Sequence, residues 1–207
     1  QSKNIFFEKL NVHENGVSFF INNSSNIEFF SCASYDNNDN GGGVFIYNSY
    51  NIFVENCNAD HNGVGFKIVN STNIYFYKCS LENNTHFTFW IQEKSNNIYI
   101  NKCNVINNLR HGIHITDSIC TVTYSNMYKN SIDSFFIKNS FVSAKNNYWG
   151  SKLGPVFSKG FRLVNTLSKD FGKIIFYPWS IRYFENAGSN WTIKEIFEKT
   201  IIHGYKD

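Results

Sequence analysis

The stretch Asn26-Ile27-Glu28-Phe29-Phe30-Ser31-Cys32 decides the fold, because the chain repeats it at short and nearly constant intervals. Apolar and polar residues alternate in it, which is the period of a β-strand that buries one face. Further copies occupy residues 4–10, 51–57, 73–79 and 97–103. The four cysteines of the motif are separated by 25, 22 and 24 residues: Cys32, Cys57, Cys79 and Cys103. A unit this short cannot bury its own apolar face, so the copies must stack on one another.

A second strand-like segment follows a turn in every repeat, and a polar residue follows that segment. The segments are 19–21, 44–46, 66–68, 89–91, 113–115 and 135–137. The polar residues are Asn23, Asn48, Asn70, Glu93, Asp117 and Asn139. Polar side chains repeated at a turn predict a ladder of hydrogen bonds between neighbouring coils.

Two strands and two turns in 22 to 25 residues leave room for one coil of a parallel solenoid, about 4.8 Å from the next coil. The sequence therefore predicts an all-β fold, a right-handed single-stranded parallel β-helix of about six or seven coils over residues 1–150. Alternate positions should point inward, including Ile27, Phe29 and Cys32. In the sixth coil Cys120 takes an isoleucine position, and Ser125 takes the cysteine position.

The four motif cysteines, Cys32, Cys57, Cys79 and Cys103, form a cysteine column that could contain a disulfide or bind a metal. Parallel side chains on stacked coils leave the Cβ atoms farther apart than a disulfide requires, and a linear stack does not converge tetrahedrally as zinc requires. We therefore expect these cysteines to be buried free thiols with a packing role, with a disulfide or a metal as the less favoured alternatives.

The segment Asn146-Asn147-Tyr148-Trp149-Gly150, followed by Gly154-Pro155 and later by Phe176-Tyr177-Pro178-Trp179, ends the repeats. A block of this kind after β-helix coils resembles the NosD-like proteins with CASH-type repeats, within the pectate-lyase-like superfamily. The resemblance implies extracellular, cell-surface or periplasmic location and frequent contact with sugars. That superfamily contains polysaccharide lyases, glycosidases, adhesins and non-catalytic scaffolds, so the resemblance is specific for fold and does not choose an activity.

Residues 151–207 break the repeat and predict a C-terminal cap that contains a strand and a short helix. Thr192-Ile193-Lys194-Glu195 is a capping box that would open a helix ending near Ile202. The tryptophans expected to cover the last coil are Trp149, Trp179 and Trp191. No matching cap precedes residue 4, which predicts upstream coils or another subunit over that end.

The composition of the chain limits the classes of partner that it can bind. Charged residues make up 17% of the chain and the net charge is +3, without the basic cluster that a nucleic-acid groove requires, so we expect no nucleic acid. No apolar run reaches the roughly 20 residues of a transmembrane helix. Gln1-Ser2-Lys3 leads straight into a strand, which indicates a mature or trimmed start rather than a signal peptide. Five sequons would permit glycosylation of an exported protein: Asn22, Asn23, Asn70, Asn83 and Asn190.

Two groups of polar residues could carry chemistry. His86 and Arg110 occupy the same turn position on adjacent coils, and Glu82 and His111 lie close to them in sequence. Such groups could perform acid–base catalysis on a polysaccharide, although solvated surface is the simpler interpretation. Asp36, Asn38 and Asn40 match the first half of a calcium loop, but the downstream glutamate is missing. A flexible insertion is the alternative to calcium there, and we expect no other cofactor.

Outward-facing aromatic residues predict a binding surface. One column contains Phe53, Tyr75 and Tyr99, and Phe30 and Tyr77 stand in the next column. The second strands give the column Phe20, Phe45, Lys67, Trp90, His114 and Phe136. Exposed aromatic runs of this size mark binding sites for sugars or proteins, unless loops, the tail or a neighbouring subunit cover them.

The leading hypothesis is a non-catalytic, exported scaffold or adhesin module that binds carbohydrate or other surface proteins through these columns. A homo-oligomer formed by end-to-end or side stacking is included in that expectation. The alternatives are a polysaccharide lyase or glycosidase, and a self-assembling extracellular filament subunit. Ice binding would need flat threonine columns, and only Thr121 and Thr123 offer one.

Overall fold

The computed structural model describes residues 3–37, 41–155 and 172–190. Strands recur in groups of three along these residues, a long strand, a short strand and a second long strand in each coil. The first long strands are β1 (Lys3–Glu8), β4 (Ser25–Phe30), β7 (Tyr50–Glu55), β10 (Thr72–Tyr77), β13 (Asn96–Asn101), β16 (Ile119–Thr123) and β19 (Phe141–Ser143), with β20 (Lys173–Ile175) beside β19. The short strands are β2 (Asn11–His13), β5 (Ala33–Tyr35), β8 (Asn58–Asp60), β11 (Ser80–Glu82), β14 (Asn104–Ile106) and β17 (Asn126–Tyr128). The second long strands are β3 (Val17–Asn22), β6 (Gly42–Tyr47), β9 (Val64–Val69), β12 (Phe87–Gln92), β15 (His111–Thr116) and β18 (Asp133–Lys138).

Each kind of strand stacks into its own parallel sheet. We call the eight-stranded sheet from β1 to β20 sheet A, the six short strands sheet B, and the six second long strands sheet C. The predicted all-β parallel solenoid is confirmed, with about six turns, and the described residues contain no α-helix. The prediction of two strands per coil was incomplete, because the short strands have only three residues and too little alternation to be recognised.

The core is made of side chains from equivalent positions that stack between coils. Ile52 lies opposite Ile74, and Val54 lies opposite Phe76 in the adjacent strand. The sixth coil follows the same register, with Cys120 opposite Ile98 and fully buried as predicted. One contiguous apolar cluster therefore runs through the solenoid, and no single coil could form it alone.

Most corners of the coil contain a characteristic pair of residues. The first has a left-handed backbone, as at Asn48 with φ 48°, and the second is a buried polar residue, as at Ser49. Asparagine adopts the left-handed region more readily than most residues, which explains the abundance of asparagine in the chain. The polar residue accepts the backbone N–H of its equivalent in the preceding coil, as Ser49 Oγ does from Ser24 N at 3.0 Å.

The corner between sheets A and C holds a column of buried serines: Ser24, Ser49, Ser71, Ser95, Ser118 and Ser140. The corner between sheets B and C holds a column of buried asparagines: Asn37, Asn62, Asn84, Asn108 and Asn130. In that column Asn84 Oδ1 accepts from Asn62 N at 3.1 Å, and Asn84 Nδ2 donates to the carbonyl oxygen of Ala59 at 3.0 Å. Backbone groups that the sheets leave unpaired at the corners are thereby satisfied inside the protein.

The cysteine column occupies the third corner, between sheets A and B. Cys57 Sγ accepts from Cys32 N at 3.3 Å and donates to the Glu55 carbonyl oxygen at 3.2 Å, as a serine hydroxyl does elsewhere. Ser125 and then Asn147 continue the column. All five cysteines are buried and free. The motif cysteines therefore act as corner residues in addition to filling the core.

The end of the described chain covers both the last coil and one side of the solenoid. Trp149 packs on Phe135 with ring centroids 5.7 Å apart, and Trp179 packs against the edge of the core. Residues 180–190, which we call the strap, then run back along sheet B. The strap bonds to Asn126 through the backbone of residue 184, and Ser189 Oγ donates to the Asn56 carbonyl oxygen at 2.9 Å. The predicted cap helix and Trp191 lie outside the described residues.

Replacing Asn84 with alanine tests the buried asparagine column. The change removes the acceptor for Asn62 N and the donor to Ala59 O, so two backbone groups lose their partners. We expect a loss of about 2–4 kcal/mol in the free energy of unfolding, measured by urea denaturation. Asn139→Gly is the control, since it removes an exposed amide and keeps the left-handed backbone. Equal losses in the two variants would show that the buried column has no special role.

Replacing Cys57 with serine or with valine separates packing from hydrogen bonding at the cysteine corner. Serine keeps an acceptor for Cys32 N, whereas valine keeps the volume and removes the acceptor. We expect Cys57→Val to be less stable than Cys57→Ser by about 1–2 kcal/mol in urea denaturation. A valine variant as stable as the wild type, with a destabilised serine variant, would mean that the column only fills space.

Candidate functional site

The outer face of sheet A carries the most exposed run of aromatic rings in register. Phe53, Tyr75 and Tyr99 are partners on adjacent strands, and each is between 37% and 40% exposed. The rings of Tyr75 and Tyr99 are stacked, 4.9 Å apart and 6° from parallel, while Phe53 is tilted by 42° from Tyr75. The predicted column therefore exists as a stack of rings, which we call the ring column.

The stacking decides what the ring column presents to solvent. Tyr75 uses one face against Tyr99 and meets the tilted Phe53 ring on its other side, so neither face of Tyr75 forms an open flat platform. Phe53 has an aromatic neighbour on one side only, because Glu28 is its partner on the other side. The ring column is thus a ridge that ends beside Glu28 at Phe53 and beside Thr121 at Tyr99, rather than a flat platform of ring faces.

A row of amides, exposed except at the half-buried Asn73, runs beside the ring column. We call it the amide ladder; it contains Asn4, Asn26, Asn51, Asn73 and Asn97. Each Nδ2 donates to the Oδ1 of the preceding member, at 3.0 to 3.1 Å. A groove lies between the two rows, lined by Asn26, Glu28, Asn51, Ile52, Phe53 and Tyr75. This groove combines amides, a carboxylate and aromatic rings on a regular lattice.

The predicted second column on sheet C is in register but mostly half-buried. Lys67 lies over the Trp90 ring at 4.1 Å and also approaches Phe45, so its charge is held by aromatic faces. His114 stacks on Phe136 with centroids 4.2 Å apart. Phe20 alone in this column is widely exposed. In the column next to Phe53, Tyr77 and Phe30 are also half-buried.

Histidines on sheet C form a cluster with one buried carboxylate. His111 Nδ1 lies 3.1 Å from Asp133 Oδ2, and the His111 side chain is only 15% exposed. Phe87 stacks on His111 and also contacts His114. Burial, together with the charge of neighbouring His111, lowers the pKa of His114 to about 4. The cluster is therefore packed into the surface, with His114 neutral at neutral pH.

The predicted catalytic residues are divided between two sheets. His111 pairs with Asp133 on sheet C, while Glu82 lies on sheet B beside Asp60. Burial raises the pKa of the Glu82 carboxyl, and neighbouring Asp60 raises it further. His86 contacts Thr85 Oγ1 through Nδ1 at 3.0 Å.

His86 and Arg110 occupy equivalent positions on adjacent coils, as expected, since His111 N donates to the His86 carbonyl oxygen at 3.3 Å. Arg110 is exposed and His86 is half-buried. The sequence reasoning missed Asp133 and the aromatic surroundings of His111. Their signal was present, because Asp133 stands one repeat after His111 and is its strand partner.

Comparison with known families assigns the fold. A family model described as a right-handed β-helix region matches residues 1–152. The chain belongs to this right-handed β-helix family. The handedness predicted from the crossover rule is thereby confirmed.

Other comparisons add little to the β-helix assignment. No match to a curated protein sequence was found. The chain has a distant likeness to full-length QnrB1, a plasmid-mediated fluoroquinolone resistance protein, with 12% identity over 84% of this chain and 94% of that one, and a TM-score of 0.29. A trypsin-treated variant of QnrB1 gives 10% identity, 84% and 91% coverage and a TM-score of 0.20. Similarities this low carry no argument about function.

The residues of the predicted calcium loop and of the predicted glycosylation sites differ in their exposure. Asp36 is exposed, and Asn38 and Asn40 lie outside the described residues. Across residues 3–37, 41–155 and 172–190, no three histidine, cysteine, aspartate or glutamate side chains are grouped to hold a metal. Among the sequons, Asn22, Asn23, Asn70 and Asn190 are exposed, whereas Asn83 is half-buried and donates to Asp60. In the described part of the chain no helix could span a membrane.

The pKa of His114 predicts a pH-dependent stability. The unfolded histidine binds a proton near pH 6.5, whereas the folded one binds it only near pH 4. The free energy of unfolding should therefore fall as pH is lowered from about 6.5 to about 4, by up to about 3 kcal/mol from this group. Urea denaturation of wild type and His114→Phe across that range gives the difference. Parallel curves for the two proteins would contradict the burial of a neutral His114.

Proposed function

We propose that this chain is a non-catalytic β-helix scaffold of an exported or cell-surface protein, which binds its partner through the outer face of sheet A. The observation that carries the proposal is the ring column, which is exposed and in register over three coils. Resemblance of the terminal block to NosD-like surface proteins supports display outside the cell. Exposed sequons at Asn22, Asn23 and Asn70 are compatible with that location.

The setting of the catalytic candidates favours a scaffold over an enzyme. His111 is paired with Asp133 and stacked against Phe87, so a substrate has little access to its imidazole. Glu82 belongs to another sheet, and Arg110 is exposed at a corner. General acid–base catalysis needs the acid and the base within reach of the same bond of the substrate.

Replacing the ring column tests the proposal. We expect the triple variant Phe53→Ala, Tyr75→Ala, Tyr99→Ala to lose at least tenfold in affinity for the partner, because the side chains are exposed and their loss leaves the core intact. A panel of purified cell-wall polysaccharides and a second copy of the chain are the probes, measured by binding assay and by sedimentation. Phe20→Ala with Tyr124→Ala, which removes exposed rings elsewhere, is the control. Release of reducing ends from any polysaccharide, lost on Arg110→Ala, would overturn the scaffold assignment.

A second candidate function rests on the carboxylate pair of sheet B. Glu82 and Asp60 are direct partners on adjacent strands, and burial raises the pKa of both. A pair at the strand spacing of about 4.8 Å approaches the roughly 5 Å separation of retaining glycosidases. This candidate predicts glycosidase activity that Glu82→Gln abolishes and Glu14→Gln, an exposed control, leaves intact. Absence of hydrolysis across the polysaccharide panel would eliminate it.

A further inference from the structure

We infer that the groove between the amide ladder and the ring column binds one strand of an uncharged, hydroxyl-rich glycan that lies along the solenoid axis. This inference rests on the proposed binding function and names its ligand class. It depends on three observations: the hydrogen-bonding groups that the ladder leaves unused, the common end of the two rows after Asn97 and Tyr99, and the chemistry at the Phe53 end of the groove.

The amide ladder has spare hydrogen-bonding capacity. A primary amide has two N–H donors and two acceptor lone pairs, and each internal member uses one donor and one acceptor within the ladder. One N–H and one lone pair of Asn51, which is exposed, and of Asn73, which is half-buried, are therefore not used within the ladder. These groups repeat at the coil spacing of about 4.8 Å, and a chain of hydroxyl groups can donate to them and accept from them.

The amides are additions that the fold does not require. Strand pairing in sheet A skips Asn51 and Asn26, since Tyr50 pairs with Ser25 and Ile52 pairs with Ile27. Each ladder asparagine has a left-handed backbone, which costs free energy within a strand. Strand β16 has five residues, none with positive φ, and still pairs with β13 in the same core register.

On one side the two rows end at the same coil, whereas on the other side the ladder continues to Asn26 and Asn4, beside Glu28 and Phe6. Asn97 is the last member of the amide ladder, and Tyr99, two residues later, is the last ring. In the next coil the extra residue is missing and Thr121 takes the ring position. Because the core continues without either row, their common end indicates that amides and rings serve one purpose on the surface.

The part of the groove at Phe53 selects the ligand. The free side of the Phe53 ring faces the position of Glu28, so an apolar face and a carboxylate acceptor lie together beside Asn26 and Asn51. A sugar presents C–H groups to a ring and hydroxyl groups to a carboxylate and to amides. Glu28 would repel a polyanion, and the described lining residues include no lysine or arginine to offset it. An uncharged glycan therefore fits better than an acidic one.

The test uses the chain with soluble oligosaccharides and variants that keep the backbone. Titration calorimetry compares neutral linear oligomers of glucose, mannose, xylose and N-acetylglucosamine with oligogalacturonate and with an extended uncharged peptide. We expect one neutral oligomer to bind, and the double variant Asn51→Gly, Asn73→Gly to weaken it at least tenfold. Glycine tolerates the left-handed backbone at both positions, so the fold is kept. Asn139→Gly, in the other exposed polar row, should bind like wild type.

The outcomes separate this inference from the proposed function. Neutral-glycan binding that survives the double variant but is lost in the triple ring variant would overturn the groove and leave the binding scaffold in place. Binding of the peptide or the oligogalacturonate alone would overturn the ligand class. If the double asparagine variant and the triple ring variant both bind like wild type, and reducing ends are released, the groove inference and the scaffold proposal are both overturned.

Discussion

The hydrogen bond from a backbone N–H to the corner side chain of the next coil is the interaction on which this structure depends. A solenoid turns three times per coil, and each turn leaves backbone groups that no sheet can pair. Serine, asparagine and cysteine columns accept these groups one coil at a time, as Asn84 does for Asn62 and Cys57 does for Cys32. A left-handed residue before each corner, such as Asn83, directs the next side chain into the interior. Unsatisfied buried donors cost about 1–3 kcal/mol each, so the corners set the registration of the coils.

The repeat predicted most of the fold, because the spacing of its apolar residues gives both the length of a coil and the positions that face the core. Ile52 and Ile74 were placed in one column from spacing alone, and they are strand partners. The short strands were not predicted, since a stretch of three residues such as Asn58–Asp60 is too short to show the alternation of a β-strand. The sequence predicts a packing role for the cysteines, but it does not reveal that a thiol replaces a serine hydroxyl at a corner. The C-terminal strap was also unforeseen, as its bonds to Asn56 join residues far apart in the chain.

The candidate site was predicted less completely than the fold. Spacing placed Phe53, Tyr75 and Tyr99 in one column, but ring orientation depends on how neighbouring side chains pack. Because the rings are stacked on one another, we expect a ligand to bind beside the ridge rather than on the ring faces. In the sequence, the asparagine that opens each motif is part of the strand-like repeat. Its left-handed backbone and its absence from β16 identify it as a surface feature instead.

In the described part of the chain, the buried asparagine column at the corner between sheets B and C and the amide ladder beside the ring column therefore have different roles. Side-chain amide signals in a nitrogen–proton NMR correlation spectrum distinguish them, when a neutral oligosaccharide is titrated into the protein. The account predicts shifts confined to the exposed ladder, at Asn51 and Asn73, with the buried Asn62 and Asn84 unchanged. Unchanged exposed amides at saturating ligand, or shifts centred on the buried column, would contradict it.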